Sequence, residues 1–363
     1  MEFSNIVRLP RVSTFISIRF REQDDHNLIC KANGVSHMEA VVLAGGYATR
    51  LWPITKNRPK MFLPVGDSTV IDRVFEELEA DDRIDAVYVS TNARFATEFR
   101  EHLEGSPFTK PTLSVEETTS EGEKLGVIGA LAQLIERESI DDDLLVIAGD
   151  NLISFALADF IDFFESFDTP CLAAYDVGSI DRAQSYGVVE LDGTRIVDFT
   201  EKPERPTSTL VSIACYAFPQ HSLSALEEYL AGDNNPDEPG WFIDWLHERQ
   251  QVNAFTFADA WFDIGTPTSY LDAIRWYLDG KNHIAEGATV ERSTIQGNVH
   301  VMAGAEVVDS HLSDSVIFGD SRIEACELRE CIIDEDTEIE GIDLQGALIG
   351  AHTQISNGQN DVS

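Results

Sequence analysis

The sequence predicts an α/β protein followed by a stacked-coil repeat, and three observations carry that expectation. Between Met38 and about Asp176, short β-branched runs alternate with amphipathic segments of helical period. Beyond Ile284, apolar residues recur at steps of five or six positions. The chain is 43% apolar with 20 Phe, too rich for an acidic disordered chain, yet no apolar run approaches the ~20 residues of a spanning helix. A soluble two-domain protein is the expectation at this length.

Residues 1–37 differ from the rest. They hold five basic and four acidic residues, whereas the remainder holds 21 basic and 60 acidic. Met38 is therefore read as the natural start, and residues 1–37 as a poorly ordered or mis-called extension, because no continuous apolar core precedes a cleavage-like site. The formal net charge of −38 excludes an electrostatic nucleic-acid binder and a partner of anionic membranes, since both need a basic surface. With only seven lysines, the acidic shell reads as adaptation to a salt-rich, halophilic cytoplasm, where at about 1 M salt the Debye length falls to roughly 3 Å. Five cysteines, few and odd in number, point to a reducing, cytoplasmic compartment.

In the α/β part, strand-like runs are Ala40–Leu43, Ala86–Val89, Thr112–Val115 and Leu144–Ile147, with helical segments around 70–79, 94–103 and 125–137. Such alternation predicts a parallel sheet with helices on both faces and ligands at the carboxyl ends of the strands. The first strand ends in Leu43-Ala44-Gly45-Gly46-Tyr47-Ala48-Thr49-Arg50-Leu51. Glycines there let backbone N–H groups approach phosphate oxygens, and an arginine can clamp them with a planar fork of donors. The loop is neither a Walker A motif nor a dinucleotide Gly-x-Gly-x-x-Gly.

With Pro53 and Arg58-Pro59-Lys60-Met61-Phe62-Leu63-Pro64-Val65, the pattern resembles the nucleotidyltransferase family that makes nucleoside-diphosphate sugars from sugar 1-phosphates. The likeness is to glucose-1-phosphate thymidylyltransferases in particular, and covers residues 38 to about 280. It implies a Rossmann-like domain with a mixed central sheet over 38–282. It also implies nucleotide binding by the loop from Leu43 and Ala44 through Gly45 and Gly46, Arg50 on the β- and γ-phosphates, and Lys60 at the reacting centre. One departure is Ala48, where the family usually has its third glycine; a methyl there restricts φ. Arg58 is a further basic residue inside these motifs.

Asp150, in Ala148-Gly149-Asp150-Asn151, and Asp263, in Trp261-Phe262-Asp263-Ile264-Gly265-Thr266-Pro267, match the two aspartates that hold Mg²⁺ in the family. The alternation from Tyr186 to Pro203 around an Asp192-Gly193 turn predicts a β-hairpin. By resemblance, Gly187 and Glu201 contact sugar hydroxyls and Lys202 holds the sugar phosphate; without the motif, Glu201-Lys202 would read as an exposed ion pair. The implied reaction is attack of a sugar 1-phosphate oxygen on the α-phosphorus of an NTP, with pyrophosphate leaving and no nucleophilic side chain. Glu117 stands near the position where a glutamine often reads a pyrimidine, and Gly126 is placed to present backbone to the base. Ile213 and Ala214 replace part of a frequent Thr-Gly-x-Tyr, which bears on sugar identity. Glucose 1-phosphate with dTTP or UTP is the first expectation. Mannose 1-phosphate with GTP is the alternative, and a non-catalytic regulatory homologue is the rival from another class.

Residues 283–356 resemble a left-handed, hexapeptide-repeat parallel β-helix, in which stacked coils bury a column of Ile, Leu and Val; residues 357–363 form a tail. Homo-oligomer assembly or allosteric contact is the expected use. An acyltransferase with His300 or His311 as base is the weaker alternative, each histidine reading as a solvated coil residue. Cys326 and Cys331 fit an apolar stack better than a metal site.

Overall fold

The structure, a computed structural model, describes residues 37–116 and 125–357. The expectations for the N-terminal stretch up to residue 36, for Glu117 and for residues 358–363 lie outside the described residues.

The central sheet has nine strands: β1 (Met38–Leu43), β2 (Ile84–Asn92), β3 (Pro111–Glu116), β4 (Asp143–Ala148), β5 (Cys171–Asp176), β6 (Gly187–Asp192), β7 (Arg195–Glu201), β8 (Leu210–Phe218) and β9 (Asn253–Phe257). They lie in the order β3-β2-β1-β4-β8-β5-β9-β7-β6. The first four are parallel, as expected from the alternation. Beyond them β8 runs antiparallel to both β4 and β5, and β6–β7 is the expected hairpin, so the sheet is mixed, as the family resemblance implies. The reason lies in the connections, since β6, β7 and β8 follow one another with no long helix between them to return the chain in the same direction.

Both faces of the sheet are covered. On β1, Ala40 and Val42 point to one core and Val41 to the other, and all three are fully buried. The first core takes α1 (Val70–Ala80), α2 (Ala96–Gly105) and α4 (Leu157–Glu165); the second takes α3 (Gly126–Glu138), α5 (Ser224–Ala231) and α6 (Pro239–His247). Helix α1 starts where Thr69 and Asp72 cap each other's backbone N–H groups. Helix α7 (Pro267–Leu278) starts on a reciprocal Thr266–Ser269 pair with Pro267 in its first turn, and carries a third core towards the repeat.

The repeat is a parallel β-helix. Its strands stack into three ladders, in which Val290, Val307, Ile323, Ile339 and Ile355 form one column, and Ile295, Leu312, Leu328 and Leu344 another. One turn therefore takes 16 or 17 residues, such as Val307 to Ile323, which explains the steps of five and six in the sequence. Cys326 and Cys331 are free and buried in this interior, as a small apolar stack requires. His300 departs from the solvated reading: it is buried, meets His283 edge-on, and burial followed by that histidine holds its pKa down to about 4. Buried in the coil wall, the His300 ring is closed to a substrate.

Candidate active site

Two chambers open side by side at the carboxyl ends of β1 and β4. The first, of about 580 Å³, is lined by Leu43, Gly45, Gly46, Lys60, Glu116 and Gly126 among others. The second, of about 800 Å³, is lined by Arg50, Gly187, Glu201, Lys202 and Asp263 among others. Asp150, Ala214 and Glu238 line both, so they mark the junction.

Backbone pairing brings the two aspartates together. β4 ends at Ala148, Gly149 donates its N–H to Leu43 O at 2.9 Å, and Asp150 O accepts from Ile264 N at 3.2 Å. Beyond it, Asn151–Ile153 pairs antiparallel with Trp261–Asp263, Asn151 opposite Asp263. That short ladder ties residues more than a hundred positions apart, which periodicity along the chain cannot announce. Asn151 fixes the ladder further, accepting from Trp261 Nε1 at 3.1 Å and donating to Ile213 O.

Lys60 sits between the carboxylates. Its backbone forms a single 3₁₀ turn held down by buried Met61, and its Nζ makes an ion pair with Asp150 and lies 3.8 Å from Asp263 Oδ1. Burial opposes the Lys60 charge, but Asp150 and then Asp263 outweigh it and hold the ammonium above its ordinary range. Burial, then the neighbouring Asp150, pushes the Asp263 carboxyl up.

The loop after β1 places its residues unequally. Gly45 and Gly46 line the first chamber, while Ala44 lies fully buried beneath, donating to Ser90 O at 2.7 Å. Ala48 has φ 48°, the left-handed region that the missing glycine would occupy freely, and its carbonyl accepts from Thr55 Oγ1 and Leu51 N. Ala214 repeats the situation at φ 52°. Arg50 faces the second chamber beside Gly265, whose Cβ position would be 3.1 Å from Arg50 Nη2. Gly126 has φ 72°, and a Cβ there would stand 2.3 Å from Pro236 O, so this start of α3 admits only glycine.

In the second chamber, Glu201 is buried rather than exposed. A Cβ on Gly240 would fall 1.6 Å from its Oε2, so the glycine at the start of α6 makes room for the carboxyl. Burial first, and the Glu238 carboxylate next, push Glu201 up to about 8. Lys202 pairs not with Glu201 but with Glu238. Glu238 and Asp237 were not singled out in the sequence; the available signal was Pro239-Gly240 opening an apolar helix. Arg58 lines neither chamber and instead faces the β-helix.

Residues 39–280 match the family model described as nucleotidyl transferase, and residues 278–358 match that of the GlmU-like C-terminal hexapeptide. The chain is 27% identical over 269 residues to a bifunctional protein GlmU of Methanocaldococcus jannaschii, covering 74% of this chain and 61% of that protein. It is 28% identical over 235 residues to a putative mannose-1-phosphate guanyltransferase of Sulfolobus acidocaldarius, covering 64% and 61%. The chain thus spans about three fifths of the length of these relatives. The crystal structure of a putative glucose-1-phosphate thymidylyltransferase from Bacillus anthracis in complex with a sucrose superposes with a TM-score of 0.56 at 26% identity, covering 65% of this chain and 93% of that one.

Proposed function

Because this chain belongs to the nucleotidyl transferase family, we propose that it transfers a nucleotidyl group from an NTP to a sugar 1-phosphate, giving an NDP-sugar and pyrophosphate. The observation that carries this reading is Lys60, lodged between Asp150 and Asp263 where the two chambers meet. The first chamber takes the nucleotide on Gly45, Gly46 and the backbone of Gly126. The second takes the sugar phosphate on Gly187, Glu201 and Lys202. An oxygen of the sugar phosphate then bonds to the α-phosphorus, the bond from that phosphorus to the bridging oxygen breaks, and pyrophosphate leaves with the electron pair. Both reactants are anions, so Arg50, Lys60 and Lys202 position and neutralise charge, and no side chain needs to act as nucleophile.

Asp150 and Asp263 fit a divalent cation, which we take as Mg²⁺. Two hard oxygen donors lie together, and the pair already draws in an ammonium as compensating charge. Among the described residues no third carboxylate, histidine or cysteine joins them, which suits an ion completed by phosphate oxygens and water. When bound, the cation offsets charge on the transferring phosphoryl oxygens. Lys60 must then release Asp150 and turn to phosphate.

Glucose 1-phosphate with dTTP or UTP remains the favoured pair. One observation supports guanylyl transfer to mannose 1-phosphate as a second reading. Glu116 lines the nucleotide chamber, its Oε1 3.5 Å from where a Cβ on Gly45 would stand, and a carboxylate can accept two N–H groups from one guanine edge. The regulatory alternative is disfavoured because Arg50, Lys60, Asp150 and Asp263 are all present. We assign the β-helix to homo-oligomer assembly and the enzyme to the cytoplasm. Pyrophosphate release, measured for the common NTPs against glucose, mannose and N-acetylglucosamine 1-phosphates in molar KCl, tests the reading. Turnover of one pair is expected, and none with any pair overturns it.

A further inference from the structure

The segment carrying Arg50 and Lys60 is gripped from outside the α/β part. Between those residues the chain passes Arg58, whose Nη1 donates to Asp334 Oδ1 at 3.0 Å while Nη2 lies 2.9 Å from Glu335 Oε2. Its guanidinium also covers the Phe318 ring at 5.1 Å. All three partners belong to the β-helix. Asp334 is buried, and its Oδ1 is further fixed by the Glu335 N–H at 2.9 Å. Around this contact, Leu51, Ile54 and Leu63 share one apolar cluster with Val316, Phe318 and Ile332, and a Cβ on Gly350 would come 2.7 Å from Pro53.

A planar guanidinium held by two carboxylates and a ring is fixed in orientation as well as place. Neither Arg58 nor Asp334 lines either chamber, yet Arg58 stands two residues before Lys60. We propose that Asp334 is a positioning residue for the transfer reaction. By holding Arg58 it sets the 50–60 segment so that Lys60 stands at the junction of the two chambers, and the β-helix thereby braces the nucleotide side of the site. The proposal rests on the nucleotidyl-transfer reading above. Misplacement by about 1 Å is enough to cost a large factor in rate, so a brace outside the chambers has a kinetic consequence.

The test uses the full chain with Asp334→Asn, Arg58→Ala, the double variant, and Glu335→Gln as the exposed partner. We expect kcat/KM for the NTP to fall about tenfold or more in Asp334→Asn, while KM for the sugar 1-phosphate stays within about twofold. Amide exchange of residues 50–63 accelerates, that of the 187–201 hairpin does not, the double variant is no worse than Arg58→Ala, and Glu335→Gln stays near wild type. Wild-type kinetics and loop exchange in Asp334→Asn overturn the proposal, as do additive losses in the double variant or faster exchange throughout the chain. If the wild type transfers nothing, the functional reading falls, and amide exchange of 50–63 alone still decides the brace.

Discussion

The two-chamber site and the β-helix column bury their residues for opposite reasons. In the site, burial gathers polarity: Lys60 stands between Asp150 and Asp263, and the Glu201 carboxyl, its pKa raised, stands beside Glu238. In the column, burial removes it: Val307, Ile323 and Ile339 stack inside, while Arg292–Asp309 and Arg322–Glu306 stay on the exposed wall. The site is sensitive to the sign of a group, and the column to its volume. Surface pairs such as those on the wall contribute little to either.

Lys60→Ala puts the greatest strain on that contrast. Removing one preorganised cation from the reacting centre should lower kcat by about 10²–10³-fold, with the unfolding midpoint in Mg²⁺ little changed; retention of near wild-type turnover would remove Lys60 from the site. Ile323→Ala is the converse. Ile323 is fully buried between column neighbours, so the cavity should cost about 2–5 kcal/mol in denaturant unfolding, with KM for both substrates unmoved. A large KM shift would show that the column reaches the chambers.

Glu201→Gln separates charge from shape within the site. Burial and Glu238 raise its folded-state pKa from 4.5 to about 8, so the native state holds a proton that the unfolded chain releases. Its contribution is full below pH 4.5 and is lost as pH rises through about 8. Urea midpoints measured across that window should decline in the wild type and flatten in the variant; equal slopes would refute the assignment. The smallest effect is expected from Ala48→Gly. Relief of the left-handed strain at φ 48° should stabilise the fold by about 1 kcal/mol, and an unchanged or lower midpoint would count against strain at that residue.

Legibility followed the same division. The β-helix is periodic, so steps of five and six residues announced it, while the column shared by Val290, Ile323 and Ile355 and the length of a coil followed from the ladders. The parallel strands β1 to β4 were likewise visible as alternating runs. The β6–β7 hairpin was visible too, from its alternation around Asp192-Gly193, whereas the antiparallel placing of β8 was not, because strand direction depends on connections rather than on any strand's own residues. At the site, the motifs placed Lys60, Asp150, Asp263, Gly187 and Glu201 around the two chambers. Glu238 was missed because its role comes from facing Lys202 across space, 36 positions along the chain.

By itself the sequence determined composition, periodicity and motif: an acid-rich α/β protein, a glycine loop after the first strand, paired aspartates and a stacked tail. Tertiary structure alone decided who faces whom. It set Arg58 against Asp334, buried Glu201 under Gly240, drew His300 into the coil wall, and let Ala48 and Ala214 take left-handed backbone. The physical reason is that a local pattern fixes which surface a residue can bury, whereas the partner of a buried charge is set by long-range packing, where desolvation must be met by whatever group the fold brings within reach.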